Sequence, residues 1–215
     1  MRALFLNCTL KKSPEVSHTG ALIDKVAALM GELGVETETV RVVDHAVPFG
    51  VASDLGAGDE WPEILGKILA SDILVIGAPI WFGVRSSVAQ MVIERLDGTY
   101  EARSEANGQF PLYNKVGAVI VTGNEDGAHD VAANTLFNLT HLGCVIAPNS
   151  DCYWVGDAGP GPSYLDAGGD THLYTNRTAR YLAHNTVALA RILAATPIAT
   201  DLGALDREAE AVSSG

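Results

Sequence analysis

The 215-residue sequence predicts an α/β domain built around a doubly wound parallel sheet. Apolar runs bounded by glycine or proline recur along the chain, and segments with a helical spacing of apolar residues separate them. The central run at 73–76 is apolar on both faces, continues into Gly77 and Ala78, and stops at Pro79. These features are typical of a buried central strand, because a buried helix would need more residues.

Five strands are predicted to alternate with five helices. The strands are 2–7, 35–43, the run within 72–83, 116–122, and 144–147, which 152–155 can resume. The helices are 20–34, 61–70, 86–96, about 128–142 and about 176–194, each with one apolar face. Right-handed crossovers then leave two common strand orders, Rossmann-like 3-2-1-4-5 and flavodoxin-like 2-1-3-4-5.

Local signals support individual elements. Gly34 suits the end of the first helix, and Pro62 is acceptable in the first turn of the second. Strand 35–43 alternates charged and β-branched residues, which favours a position at the sheet edge.

Long polar segments separate some of these elements. They lie at 44–60, 97–114 and 156–174, and loops of such length are usually functional or mobile. We expect a flavodoxin-like domain over 1–195 and a C-terminal tail over 196–215, in which no strong apolar period is present.

Composition restricts the class of partner. The formal net charge of -12 argues against nucleic acid and anionic membranes, although a local basic pocket can still bind a small anion. No apolar run reaches the length of a membrane span, and no secretory signal is recognisable, so we expect a cytoplasmic protein. The three cysteines are too few and too scattered for a disulfide framework or a metal site, and Cys8 is expected to be a buried thiol.

The first turn, 7–19, contains the groups that a single terminal phosphate requires. It lacks both the Gly-x-Gly-x-x-Gly fingerprint and a Walker motif, but it offers four hydroxyls, two lysines and a helix N-terminus. Ser17 or Thr19 could instead simply cap the helix, and this alternative remains open for either residue alone.

At the end of the central strand lies Pro79-Ile-Trp-Phe-Gly83, where open α/β sheets bind ligands. Paired aromatics at this position suit a flat heteroaromatic ligand. The alternative is that Trp81 and Phe82 are core or interface residues.

In combination, these motifs resemble the flavodoxin-like NAD(P)H-dependent FMN reductases. Thr9-Leu-Lys11 resembles the Ser-Leu-Arg start of that family's phosphate loop, and 79–83 resembles its Pro-x-Tyr-x-Gly segment with Trp81 at the aromatic position. The stretch 122–127 resembles its third flavin loop. The similarity covers about 1–145, while a lysine replaces the usual arginine and 156–174 is particular to this chain.

The resemblance implies an FMN cofactor at the switch point of a five-stranded sheet with order 2-1-3-4-5. The phosphate would contact Thr9, Lys11, Ser17, His18 and Thr19. The isoalloxazine would contact Pro79, Ile80, Trp81, Phe82 and Gly83, and its polar edge would meet the loop containing Thr122, Gly123, Asn124, Glu125 and Gly127. No catalytic side chain and no metal site is predicted, since hydride transfer between nicotinamide and flavin mainly needs positioned rings.

The functional prediction is an oxidoreductase that passes electrons from NAD(P)H through FMN to a flavin, quinone or similar small acceptor. A flavodoxin-type electron carrier that serves protein partners is the first alternative, and a flavin-free binding module is the second. A homo-oligomer is expected because Trp61, Trp154 and Tyr164 lie beside loops and could form a subunit interface or a lid.

Overall fold

A computed structural model of the chain describes residues 1–159 and 161–213. Pro160, which belongs to the long segment 156–174, and the last two residues of the tail lie outside the described residues. The six strands are β1 (Arg2–Asn7), β2 (Glu36–Arg41), β3 (Ile73–Trp81), β4 (Val84–Arg85), β5 (Val116–Gly123) and β6 (Val145–Val155).

The helices follow the predicted alternation closely. They are α1 (His18–Glu32), α2 (Trp61–Ala70), α3 (Ser87–Asp97), α4 (Ala128–His141), α5 (Leu173–Ala195) and α6 (Leu202–Ser213). Short 3₁₀ helices occupy Val42–Asp44, Gly98–Ala102 and Gly169–Thr171.

The five long strands form a parallel sheet in the order β2-β1-β3-β5-β6. This is the flavodoxin-like order, so the predicted fold class and strand order are confirmed. The two-residue β4 pairs antiparallel with the end of β3, and the sequence analysis did not predict it. At the sheet edge, β6 is one strand with a change of pairing register near Asn149. The sequence analysis expected two shorter runs here, 144–147 and 152–155.

Helices cover both faces of the sheet, and each face has its own core. On one face α1 and α5 pack over the alternating side chains that include Phe5, Val75 and Ile120. On the other face α2, α3 and α4 cover the set that includes Leu6 and Ile76. Because β3 contributes to both cores, its apolar residues are buried on both sides, as the unbroken run predicted.

The tail contains a helix that the sequence analysis missed. Helix α6 has no buried residue, so it lacks the apolar stripe that sequence patterns detect. It is held to the 97–114 segment by polar contacts, including Arg103 to Asp206 at 2.8 Å and the Gly203 amide donating to the Asn107 carbonyl at 3.2 Å.

The aromatic residues expected at an interface are in fact buried within the chain. Trp61 is 0% exposed, Trp154 6% and Tyr164 1%. Of the two roles expected for these three side chains, a subunit interface or a lid, the first is therefore wrong, because they already pack inside the domain. Within the described part of the chain, no helix has the length and apolar character needed to cross a bilayer.

Candidate functional site

A cleft of about 180 Å³ opens at the carboxyl ends of β1, β3 and β5. The first turn contributes Thr9, Leu10, Lys11, His18 and Thr19, the end of β3 contributes Pro79, Ile80 and Trp81, and the end of β5 with its loop contributes Thr122, Gly123, Asn124 and Glu125. Trp154, Ser163 and Tyr164 complete the walls from the C-terminal part of the chain. This is the switch point of the sheet, where open α/β folds bind ligands.

A larger hollow of about 600 Å³ lies between α1 and the edge strand β2. It is polar, more open and lined by charges of both signs, including Asp24, Arg41 and Lys67. We place the functional site in the smaller cleft because it lies at the switch point and combines apolar walls with convergent polar groups.

The start of α1 is organised by Ser17. Its hydroxyl caps the helix by accepting from the Gly20 amide at 2.9 Å, and it also exchanges hydrogen bonds with the Asn7 side chain. Ser17 lines the neighbouring hollow and not the cleft. For this residue the capping alternative is therefore the one that the structure supports.

The phosphate loop is pre-shaped by its own hydroxyl groups. The Thr9 amide donates to the Asn7 side chain at 3.2 Å, and the Thr9 hydroxyl accepts from the Lys11 amide at 3.3 Å. These bonds turn the chain at the end of β1 so that Lys11 reaches the cleft wall. A helix N-terminus with a lysine beside it attracts an anion.

Lys11 and His18 lie at one end of the cleft, here termed the positive end because of the Lys11 ammonium group. No ion pair of Lys11 is found within 1–159 and 161–213. Burial and the Lys11 charge lower the pKa of His18, and Asp166 partly opposes that shift. His18 is therefore a neutral imidazole near pH 7, and Lys11 is the cation at this end of the cleft.

A buried pair of hydroxyls joins two parts of the cleft. Thr19 on α1 and Thr122 at the end of β5 are hydrogen-bonded at 2.6 Å, and both are almost completely buried. The pair fixes the distance between the phosphate loop and the third loop, so this part of the cleft is rigid before any ligand arrives.

The opposite end of the cleft is formed by the β3–β4 turn. Trp81 lines the cleft and remains 52% exposed, whereas Phe82 points away and is 97% exposed. Phe82 has a positive φ of 51°, which is unusual for a bulky residue, and its amide donates to a Glu125 carboxylate oxygen at 3.0 Å. Of the two aromatic residues that were expected to form the site, Trp81 lines the cleft and Phe82 does not.

The third loop packs directly on this turn. Gly127 has a φ of 130°, and a Cβ at this position would lie 2.3 Å from the Gly83 carbonyl oxygen. A Cβ on Gly123 would lie 2.8 Å from Ile80. Both glycines therefore allow the close approach of two loops.

For the C-terminal part of the cleft, the sequence analysis predicted no binding residue and gave a lid with Trp154 and Tyr164 only as one of two alternatives. Asn124 accepts from the Gly159 amide at 3.1 Å and donates to the Gly161 carbonyl at 2.7 Å, so the third loop holds the segment that carries Ser163 and Tyr164. The Leu165 amide donates to His18 Nδ1 at 3.3 Å. The signals in the sequence were the aromatic residues beside this segment and the unusual glycine and proline content of 156–174.

Eleven of the fifteen predicted binding residues lie on the cleft walls. Ser17, Phe82, Gly83 and Gly127 lie next to the cleft and shape its loops, as described above. The three cysteines are buried free thiols, and burial raises the pKa of Cys8, that of Cys144 to about 12 and that of Cys152 to about 11. The described residues contain no cluster of side chains that could hold a metal ion.

The residues of the cleft fit a flavin 5′-phosphate. The positive end offers Lys11, the Thr9 and Thr19 hydroxyls and a helix N-terminus, which suit a phosphate dianion. The other end offers the Trp81 indole and the apolar wall formed by Ile80 packed on Gly123, which suit a flat ring system. The strand order and this site together define a flavodoxin-like flavoprotein.

Comparison with known proteins gives the family. The chain belongs to the NADPH-dependent FMN reductase family, whose model matches residues 1–158. The match ends before Ser163 and Tyr164, so the C-terminal wall of the cleft lies outside it.

Two relatives and one solved structure are similar over nearly the whole chain. An 8-demethyl-8-aminoriboflavin-5′-phosphate synthase of Streptomyces davaonensis is 45% identical over 213 residues, 95% of this chain and 82% of that protein. A divalent metal cation transporter of Mycobacterium bovis is 45% identical over 201 residues, 91% of this chain but 29% of that protein. The crystal structure of RosB with bound 8-demethyl-8-formylriboflavin-5′-phosphate has a TM-score of 0.91 and 43% identity, and covers 98% of this chain and 86% of that one.

Proposed function

We propose that the chain is an FMN-dependent oxidoreductase that takes electrons from NADPH or NADH and passes them to a flavin, a quinone or a similar small acceptor. The family supports the FMN chemistry, and the donor and the acceptor are the proposed part. Bound FMN supplies hydride and electron transfer in this family of folds.

The observation that carries the proposal is the unequal lining of the cleft. Of the three aromatic side chains on the walls, Trp81 is half exposed whereas Trp154 and Tyr164 are almost completely buried, and the loop beside Trp81 presents Thr122, Gly123, Asn124 and Glu125, which are small or polar. Such a site can hold a ring system against an aromatic wall and leave the other face accessible to a nicotinamide. A carrier can enclose both faces, because its electrons leave through the ring edge.

The residues of the chain then have defined tasks. Lys11, Thr9 and Thr19 bind the phosphate, and the Thr19–Thr122 bond keeps the two loops at a fixed spacing. Trp81 orients the ring, and the Phe82–Glu125 bond holds the two ring-side loops together. No side-chain acid or base is required, since nicotinamide and flavin exchange a hydride when they are correctly placed.

Steady-state consumption of NADPH or NADH tests the proposal. The purified protein with FMN should oxidise one of the two nicotinamides faster when a quinone or free flavin is added, without a protein partner. Lys11→Ala should raise the FMN concentration needed for half-maximal rate. The proposal would be abandoned if neither nicotinamide is consumed above the rate of free FMN.

A second candidate function comes from the relatives. The Streptomyces davaonensis protein is named as a synthase of a modified flavin 5′-phosphate, and the RosB structure contains a modified flavin 5′-phosphate as a bound intermediate. With 45% identity over 95% of this chain, the present protein could use the flavin phosphate itself as a substrate.

Mass spectrometry of the flavin separates the two functions. In a reductase the flavin recovered after many turnovers has the mass of FMN. In a flavin-modifying enzyme the recovered flavin has a new mass.

A predicted homo-oligomer is independent of this choice, and light scattering at micromolar concentration tests it.

A further inference from the structure

Residues 161–170, here termed the strap, connect the two ends of the cleft. At its beginning the Gly161 carbonyl accepts from Asn124 on the third flavin loop at 2.7 Å. In its middle, Ser163 and Tyr164 line the cleft. The strap lies beyond residue 158, where the match to the family ends.

Two residues on one face of α1 hold the rest of the strap. His18 Nδ1 accepts from the Leu165 amide at 3.3 Å, and His18 Nε2 lies 3.8 Å from Asp166 Oδ2. On the same face of α1, two turns further along the helix, Lys25 Nζ donates to the Asp170 carbonyl and to the Asn176 side chain. His18 is also part of the phosphate end of the cleft, so the strap and the phosphate end share one residue.

One buried group opposes closure of the strap. The Tyr164 hydroxyl has no hydrogen-bond partner among the described residues, although the side chain is 1% exposed. An unsatisfied buried hydroxyl destabilises the conformation that buries it. Burial also raises the pKa of Tyr164 to about 12, so the group remains a neutral hydroxyl.

The cleft is small for a complete flavin phosphate when the strap is closed. It holds about 180 Å³. Sites for ligands of that size enclose about 300–1,000 Å³. Either part of the ligand remains outside, or the strap moves when the ligand enters and leaves.

We propose that the strap controls exchange of the flavin phosphate, with His18 as the positioning residue that fastens it and the buried Tyr164 hydroxyl as the group that favours its release. The inference rests on the proposed function in one respect, namely that the cleft binds a flavin. It adds that the residence time of the flavin depends on two features: the hydrogen bond between His18 and Leu165, which stabilises the closed strap, and the unpartnered Tyr164 hydroxyl, which destabilises it.

Closure of the strap depends on pH because His18 can be protonated. Nδ1 accepts from Leu165, so the single proton of the neutral ring lies on Nε2. A proton added to Nδ1 removes the acceptor, and the fastening is lost. The charges that face the ring are Lys11 from the first turn and Asp166 from the strap. Asp166 is largely exposed, so its attraction for a protonated ring is screened and offsets little of the loss.

The sign follows from the lowered pKa of His18. The closed strap favours the neutral ring, so closure is complete above the ordinary histidine pKa and weakens as the pH falls below it. We therefore expect dissociation of riboflavin to become faster on acidification through the histidine range, whereas for FMN the phosphate dianion attracts the protonated ring and opposes this effect.

Dissociation of FMN and of riboflavin from the full chain, followed by flavin fluorescence after rapid dilution, tests the inference. His18→Ala should speed dissociation of both flavins by about twofold to tenfold, the effect of one lost hydrogen bond. A residue that only contacted the phosphate would leave riboflavin unaffected. Tyr164→Phe should act in the opposite direction, with slower dissociation and a higher melting temperature of the free protein, because it removes the unsatisfied hydroxyl.

Two further variants complete the test. His18→Asn, which keeps an acceptor close to the position of Nδ1, should recover most of the residence time and lose the pH dependence. His184→Ala, at an exposed position on α5, should behave like the unmodified protein. If the unmodified chain binds neither flavin, the proposed function fails. If it binds flavin but Tyr164→Phe does not slow dissociation and His18→Ala spares riboflavin, the strap inference is overturned.

Discussion

Two of the long loops, 44–60 and the segment that contains the strap, are fastened in different ways. The 44–60 loop is held by Arg95 of α3, which donates to the carbonyls of Pro48 and Ala52 and forms an ion pair with Asp59 at 2.5 Å. Both side chains of this pair are almost completely buried. The strap is held by one neutral imidazole and by partly exposed contacts. The walls of the cleft, as far as the described residues define them, include none from 44–60.

The difference indicates which loop serves the site. A buried pair that is fully hydrogen-bonded fixes one conformation, because separating the charges leaves them without solvent. Burial alone would raise the pKa of Asp59, but the hydrogen bonds from Arg95 and from the Trp61 and Leu55 amides outweigh it and hold that pKa below its usual value. The 44–60 loop is therefore a structural part of the fold, and the strap is the loop that can respond to a ligand.

Removing the buried anchor of the first loop should have the largest effect on stability. Arg95→Ala leaves Asp59 buried without its partner, and the free energy of unfolding should fall by about 3–5 kcal/mol. Chemical denaturation measures the loss. Below the transition, the folded variant should still bind FMN nearly as well as the unmodified chain, and a large loss of affinity would show that 44–60 shapes the cleft after all.

Loss of the cation at the phosphate end should have the next largest effect. Lys11→Ala should weaken FMN binding by about 1–3 kcal/mol, the range for a hydrogen bond to a charged group. This is roughly tenfold to hundredfold in dissociation constant. Fluorescence titration should show almost no change for riboflavin. Lys12→Ala, which removes the neighbouring charge outside the cleft wall, is the matched control, and equal losses for both flavins would place Lys11 elsewhere.

Substitution of the aromatic wall should have a smaller effect on binding. Trp81→Ala should weaken FMN binding by about 0.5–1.5 kcal/mol, the range for an aromatic stacking contact, or alter turnover. The melting temperature should change little, because the side chain is half exposed. Phe82→Ala should leave FMN affinity almost unchanged, since that ring points away from the cleft. Equal effects at both positions would mean that Phe82 turns inward when the ligand binds.

The smallest effect on flavin dissociation is expected from the exposed carboxylate of Asp166, which lies near His18. Asp166→Asn removes a carboxylate that is largely exposed and 3.8 Å from His18 Nε2. Such a pair contributes about 0–1 kcal/mol. Flavin dissociation should therefore change by less than the effect of His18→Ala. A larger change for Asp166→Asn would mean that the carboxylate, and not the Leu165 amide, fastens the strap.

The sequence predicted those features that depend on local pattern. The buried runs around Ile76 and Val119 identified the central strands, and the hydroxyl-rich first turn indicated the end of the cleft at which we propose that the phosphate binds. Ser17 shows the limit, because a capping hydroxyl and a phosphate-binding hydroxyl have the same local sequence. Its role is decided by Asn7, which reaches it from the end of β1.

The features that were missed depend on contacts between distant segments. Helix α6 has no buried side chain, and β4 has two residues, so neither has a period to detect. The contact between His18 and Leu165 joins positions far apart in the sequence, and no local pattern encodes it. For the same reason the sequence could not decide whether Trp154 and Tyr164 belong to a subunit interface or to a lid, whereas in the structure they pack together and line the cleft.

The central claim is that one face of the bound flavin is open to a nicotinamide. Anaerobic stopped-flow absorbance of the FMN complex, mixed with NADPH or with NADH, tests it most directly. We predict that at least one nicotinamide bleaches the flavin quickly without any partner protein, and that a quinone or free flavin then restores the colour. Bleaching by dithionite but by neither nicotinamide would contradict the claim and favour a carrier or a flavin-modifying enzyme.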